Sequence, residues 1–287
     1  MTYECFDVEV KDRVAHIVLS RPAKRNSMTP AFWRELPEIV REIDAAAEAR
    51  VIVISSTGPH FTAGLDISHL RQGGGNGQDR PDVKAEAREA VRHGARFYDN
   101  TRHLQESFSA LENCRLPVLA AIQGGCIGGG VDMVTACDMR YATEDAFVTV
   151  FEINVGITAD VGTFPRLVKL IPEGIVRELA YTGRRMPALE AKEVGLVNRV
   201  FRDQETMLEG VFDIAREIAA KPPLALYGCK RMINYSRDHN TADGLDYISI
   251  WNASFLQPAE MREAVMATQE KRTGEFVDLP PLPRSAD

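Results

Sequence analysis

The sequence predicts an α/β fold, a wound core followed by a mainly helical C-terminal portion. Two apolar runs, 51–55 and 116–122, lack the polar alternation of a half-exposed strand, as expected where both faces of a sheet are covered. A helical periodicity separates them from earlier strand-like runs, and beyond about residue 163 helical patterns dominate. With 287 residues, 45% hydrophobic and 26% charged, the chain can bury a large core.

In chain order, residues 6–10 and 14–19 read as a strand pair joined by a polar turn at 11–13, and Arg21-Pro22 ends the second strand. Thr29 is an N-cap candidate with Pro30 at the first helical position, and Phe32, Leu36, Ile39, Val40 and Ile43 recur at helical spacing. Strand 51–55 follows, so strand, helix and strand form a crossover unit. Residues 72–82, rich in Gly, Asn and Asp, read as a mobile surface insertion before a long helix over 83–113. Strand 116–122 leads into a glycine segment and a helix ending near residue 137. Strands 138–141 and 146–150 come next, then helices over 163–170, 173–182, 187–194, 204–220 and 223–236. The division falls near residue 205, giving a core over 1–205 and a helical region over 206–287.

The net charge of −7 opposes the broad basic footprint of a nucleic-acid binder. Cys5, Cys114, Cys126, Cys137 and Cys229 are widely spaced and form no CxxC pair, which suggests neither a disulfide framework nor a zinc site. The first ten residues carry Glu4, Asp7 and Glu9 and resemble no secretory or transit signal. No apolar stretch approaches the roughly 18 to 20 residues of a membrane helix, and Arg284-Ser285-Ala286-Asp287 is not a peroxisomal address. The expectation is a cytoplasmic protein without membrane or nucleic-acid partners.

The most informative segment is Gly124-Gly125-Cys126-Ile127-Gly128-Gly129-Gly130, between a strand and a helix. Glycines there permit close backbone approach and leave unpaired N–H groups at a helix N-terminus, where the dipole favours negative charge. A tight packing turn is the plainer alternative. The dinucleotide fingerprint needs glycines at offsets 0, 2 and 5, and each starting glycine meets Cys126, Ile127 or Met133 at one of them. A P-loop fails because Val131-Asp132 follows Gly130. There is no GxSxG for a serine hydrolase, and His60 and His69 read as solvated loop histidines. A second element, Phe61-Thr62-Ala63-Gly64-Leu65-Asp66, allows another close backbone approach through Ala63-Gly64 and can supply a second N–H donor.

Together these two elements resemble the crotonase (enoyl-CoA hydratase/isomerase) superfamily. Further matches spread along the chain at Arg21-Pro22-Ala23-Lys24-Arg25-Asn26, Thr182-Gly183-Arg184 and Lys221-Pro222-Pro223. The resemblance implies a spiral of β-β-α units with a helical C-terminal trimerisation region, assembled as a homotrimer or a homohexamer. It implies an oxyanion hole made by the N–H groups of Leu65 and Gly129, which hold the thioester oxygen of an acyl-CoA. Lys24, Arg25, Ala63, Gly64, Asp66 and Ile67 are the implied substrate-binding residues. No cofactor is expected, since coenzyme A is part of the substrate.

Three carboxylates complete the reading. Asp132 lies three residues after Gly129, Glu152 twenty after Asp132, and Asp160 eight after Glu152. Singly, each reads as a solvent-facing side chain, because Asp and Glu are rarely buried without partners. In the hydratases, glutamates occupy the first two positions. The Asp132, Glu152, Asp160 pattern is similar to that of the dienoyl-CoA isomerases, which implies conversion of a 3,5-dienoyl-CoA to a 2,4-dienoyl-CoA in fatty acid β-oxidation. Glu152 would take the carbon 2 proton and Asp160 deliver one at carbon 6, with Asp132 orienting the pair; the sequence also allows the two roles reversed. An enoyl-CoA hydratase and a non-catalytic acyl-CoA-binding protein are the alternatives.

Overall fold

The computed structural model describes residues 2–66 and 83–283, of which 83–88 are described as backbone only. Ile67, His69 and the 72–82 insertion lie outside the described residues.

Strands β1 (Phe6–Lys11) and β2 (Val14–Leu19) form an antiparallel hairpin in which Lys11 pairs with Val14. Its turn is therefore only Asp12-Arg13, both at positive φ (50° and 65°), the geometry that matches the twist of two-residue hairpins. Helix α1 (Pro30–Ala46) carries the chain to β3 (Val51–Ser56), parallel to β2. All five apolar residues of its predicted stripe are buried. Thr29 is the N-cap residue, but its hydroxyl lies 3.5 Å from Cys5 Sγ and makes no capping bond.

Helix α2 (Val83–Asn113) leads to β4 (Val118–Ile122), parallel to β3 in the register Ile52 opposite Val118. β6 (Met139–Thr143) and β9 (Arg199–Phe201) extend the sheet in the order β1-β2-β3-β4-β6-β9. Strand parity divides its two faces. Ile52, Ile54, Val118, Ala120 and Ile122 join the main core with α1 and with α3 (Gly129–Ala136). Val51, Val53, Leu119 and Ala121 pack beneath α7 (Gln204–Ala219), through Met207, Val211 and Ala215. Covering each such Val, Ile or Leu stabilises the fold by about 1.5–3 kcal/mol. A capping box between Asp203 and Thr206 starts α7.

The strand-to-helix turn expected at the glycines contains a strand of its own. β5 (Gly125–Ile127) pairs with β7 (Phe147–Thr149), and β8 (Met186–Pro187) completes a small second sheet. Short helices α4 (Thr163–Leu167), α5 (Glu173–Thr182) and α6 (Ala188–Glu193) fill the region between β7 and β9. After α8 (Pro223–Asp238) come two helices absent from the sequence reading, α9 (Thr241–Phe255) and α10 (Pro258–Glu270). Their apolar residues Leu245, Ile250, Phe255, Met261 and Val265, and Leu256 between them, stay exposed.

From residue 271 the chain turns back to the core. Arg50, itself buried, donates to Asp278 Oδ1 (2.6 Å), the Ala219 carbonyl (2.9 Å) and the Phe276 carbonyl (2.8 Å). Arg115, paired with Asp44 at 2.7 Å, donates to the Pro280 carbonyl at 2.9 Å, and the Leu282 N–H bonds the Ala45 carbonyl at 3.0 Å.

Candidate active site

The 61–66 loop runs parallel to β5. Thr62 donates its N–H to the Gly125 carbonyl (3.1 Å) and accepts from the Ile127 N–H (3.2 Å). The two segments then part, because Gly64 at φ +77° directs its carbonyl to the Met28 N–H (2.8 Å), while the Met28 carbonyl takes the Asp66 N–H (3.0 Å). In such a parallel bridge the intervening residue, Leu65, points its own N–H away from Met28. A methyl group on Gly64 would lie 2.7 Å from the Ile127 carbonyl oxygen and 3.4 Å from the Gly129 nitrogen, so this loop crosses directly over the start of α3. Gly128 makes the entry to α3 at φ 54° and ψ −117°, a conformation closed to side chains. Neither the Leu65 N–H nor the Gly129 N–H has an acceptor among the described residues.

The Arg21 to Asn26 motif braces this arrangement. Buried Asn26 donates through Nδ2 to the carbonyls of Thr57 (2.9 Å) and His60 (3.1 Å) and accepts from the Arg21 N–H (2.9 Å). Its carbonyl takes the Thr62 hydroxyl (2.7 Å), and the Arg25 carbonyl takes the Ala63 N–H (2.9 Å). Lys24 and Arg25 hold exposed side chains beside this brace, and Ser27 Oγ donates to half-buried Asp66 at 3.3 Å. His60 is not the solvated histidine expected: its Nδ1 accepts the Gly125 N–H at 3.0 Å and steadies the glycine segment.

The Glu152 carboxylate lies beside Gly128, and those of Glu152 and Asp160 are near enough to Asp132 to raise its proton affinity. Asp132 sits one turn into α3, 1% exposed, and accepts the Thr163 N–H at 2.6 Å. Burial, then the nearby Glu152 and Asp160 charges, push its carboxyl up to about 7 despite that bond. Glu152 opens the single helical turn Glu152–Val155 after β7, and its Oε1 would lie 3.1 Å from a methyl on Gly128. Its Oε2 is buried without a hydrogen-bond partner among the described residues. Burial first and Asp160 second raise its affinity for a proton. Asp160 is half-buried and also raised by burial; Gln105 Nε2 holds its main-chain carbonyl at 2.7 Å.

The Thr182-Gly183-Arg184 match supports Glu152 from outside. The Gly183 carbonyl accepts the Thr149 hydroxyl at 3.0 Å, and its Cα packs so closely on Asn154 that a methyl there would lie 2.3 Å from Asn154 Nδ2. The site thus sets two outward N–H groups beside three carboxyl groups that favour sharing protons, an arrangement suited to moving protons next to a stabilised oxyanion.

Comparison with known proteins places the chain in a family. The family described as Enoyl-CoA hydratase/isomerase matches residues 9–279. The chain belongs to this family. One enoyl-CoA hydratase/isomerase relative, from Mus musculus, is named Delta(3,5)-Delta(2,4)-dienoyl-CoA isomerase, mitochondrial; it is 42% identical over 94% of this chain and 81% of its own length. A relative named Delta(3,5)-Delta(2,4)-dienoyl-CoA isomerase, peroxisomal, from Arabidopsis thaliana, is 36% identical over 97% of this chain and 98% of its own. The crystal structure of an enoyl-CoA hydratase from Bacillus anthracis matches with a TM-score of 0.82 and 30% identity, covering 95% of this chain and 99% of that one.

Within this enoyl-CoA hydratase/isomerase site, sequence reasoning missed the Thr163 N–H on Asp132, the Gln105 contact to Asp160 and the His60 contact to Gly125. The first is a main-chain donor without a residue signature. The others join residues 55 and 65 positions apart, beyond any local pattern.

Proposed function

We propose that the protein isomerises a 3,5-dienoyl-CoA to the 2,4-dienoyl-CoA, as part of fatty acid β-oxidation. The observation that carries this reading is a third carboxyl group, Asp160, close enough to Asp132 and Glu152 that the three compete to ionise and can hold a shared proton among them. The names of the relatives support the same reaction. The thioester oxygen accepts the Leu65 and Gly129 N–H groups. Ionised Glu152 removes a proton from carbon 2, and the electron pair spreads from carbon 2 to the oxygen and along the chain to carbon 6. Protonated Asp160 then delivers its proton to carbon 6, which leaves double bonds at carbons 2 and 4. Asp132 holds the 163 end of the Asp160 loop and sets the local charge. Losing one oxyanion donor weakens such a transition state by about 2.7–4 kcal/mol.

Lys24 and Arg25 contact the coenzyme A phosphates, with Ala63, Gly64, Asp66 and Ile67 lining the thioester approach. The exposed apolar residues of α8 to α10 serve assembly into a homotrimer or a homohexamer through the 206–287 region, and the compartment is the cytoplasm. Among the described residues no helix is long and apolar enough to cross a membrane.

The test is an ultraviolet assay with a 3,5-dienoyl-CoA and, separately, a 2-enoyl-CoA. The expected result is conjugated 2,4-dienoyl product, lowered about 10²- to 10⁴-fold by Asp160→Asn. Hydration of the 2-enoyl-CoA with no dienoyl product would replace this reading with a hydratase.

A further inference from the structure

Asp160 stands on the short loop 156–162 between the Glu152–Val155 turn and α4, and one face of α2 fastens that loop. Gln105, Ser109 and Glu112 follow one another at spacings of four and three, which places them on one side of the helix. Gln105 Nε2 bonds the Asp160 carbonyl at 2.7 Å. Glu112 Oε2 accepts from Arg166 Nε (3.1 Å) and Nη2 (2.9 Å), and Ser109 Oγ accepts from Nη2 at 3.3 Å. The other Glu112 oxygen accepts from Arg237. These two arginines hold the Glu112 carboxyl below the usual carboxylate range, against the effect of burial.

Arg166 in turn seats its guanidinium on Gly162. At φ +136° that residue leaves room for the group, whereas a methyl there would lie 2.0 Å from Arg166 Nη1. The loop is therefore gripped at Asp160 by Gln105, at Gly162 by Arg166, and at Thr163 by Asp132. Its outer side borders a cavity of about 450 Å³ that Gln105, Ser109, Glu112 and Arg166 help to line, so polar contacts do much of the holding on that side.

Resting on the isomerase reading above, we propose that Arg166, oriented by Glu112, and Gln105 are positioning residues that set the reach of Asp160 to carbon 6 without touching the substrate. Carbon 2 deprotonation by Glu152 does not use them. Loosening either contact leaves the dienolate forming but slows its capture at carbon 6, and more of it returns to starting material.

The experiment runs the reaction in D2O and compares deuterium gained at carbon 2 of recovered 3,5-dienoyl-CoA with 2,4-dienoyl-CoA formed. Arg166→Met and Gln105→Ala are expected to lower product formation about 10- to 100-fold, as an ångström-scale misplacement does, and to raise the ratio of exchange to product about 10-fold. Arg166→Lys restores part of the product rate. Asp160→Asn raises the ratio in the same way, and Arg166→Met adds less than about twofold on that background, because both act on one step. Equal loss of exchange and product, or wild-type behaviour in both variants, overturns the inference. If Arg166→Met shows no cooperative melting, Gln105→Ala alone decides between these outcomes. Absence of dienoyl product from the wild-type protein overturns the isomerase reading, and this inference with it.

Discussion

Asp132 is 1% exposed, and its carboxyl is pushed up to about 7 from an ordinary 3.8. Between these values the folded protein binds more protons than the unfolded chain, so this residue's contribution to stability is lost as pH rises from about 4 through 7. Asp132→Asn keeps an acceptor for the Thr163 N–H and removes the buried charge. It is expected to stabilise the protein at pH 8 by on the order of 2–4 kcal/mol, raising the thermal midpoint several degrees, and to change little at pH 4. Thermal melts of both proteins at the two pH values check this, and equal midpoints at pH 8 would contradict the assigned burial cost. The three acidic positions were legible in the sequence because their residue types and order match a known pattern. Their environment was not, since the Thr163 N–H and the Gln105 side chain reach them from 31 and 55 residues away.

At the scale of the element, the proposed oxyanion arrangement rests on a loop and a strand that pair for one bridge and then diverge. Gly64 is the point of divergence, and both its φ of +77° and the 2.7 Å approach to the Ile127 carbonyl exclude a side chain. Gly64→Ala is expected to displace the Leu65 N–H and lower kcat about 10²- to 10³-fold, the loss that follows removal of one donor. Circular dichroism of the variant should still show the native helix content, and an unchanged kcat would remove Leu65 from the mechanism. Strands β3 and β4 were legible because burial on both faces leaves an unbroken apolar run. β5 was hidden because Gly-Cys-Ile between glycines carries no run at all, and β8 and β9 span only two and three residues. Helices α9 and α10 escaped for another reason. Within the chain α9 buries no residue and α10 only Ala267, so no apolar stripe marks them against a core.

For the whole molecule, that lack of a core-facing stripe bears on association. Leu245, Ile250, Phe255, Leu256, Met261 and Val265 lie exposed on and between the last two helices, and light scattering is expected to give three or six times the 31.8 kDa chain mass. Phe255→Asp together with Met261→Asp should lower that mass toward a single chain; an unchanged mass would place the contact elsewhere. The return of residues 271–282 to Arg50 and Arg115 adds a constraint of its own. Helices α9 and α10 form a handle fastened at both ends, on one side by α8, whose buried Lys230 bonds the Leu111 and Leu116 carbonyls (2.8 Å each), and on the other by two buried arginines. Copies of the chain can press these handles together, but trading one between neighbours would first require unfastening both arginines. Association should accordingly be reversible on dilution, with each separated copy keeping its own handle.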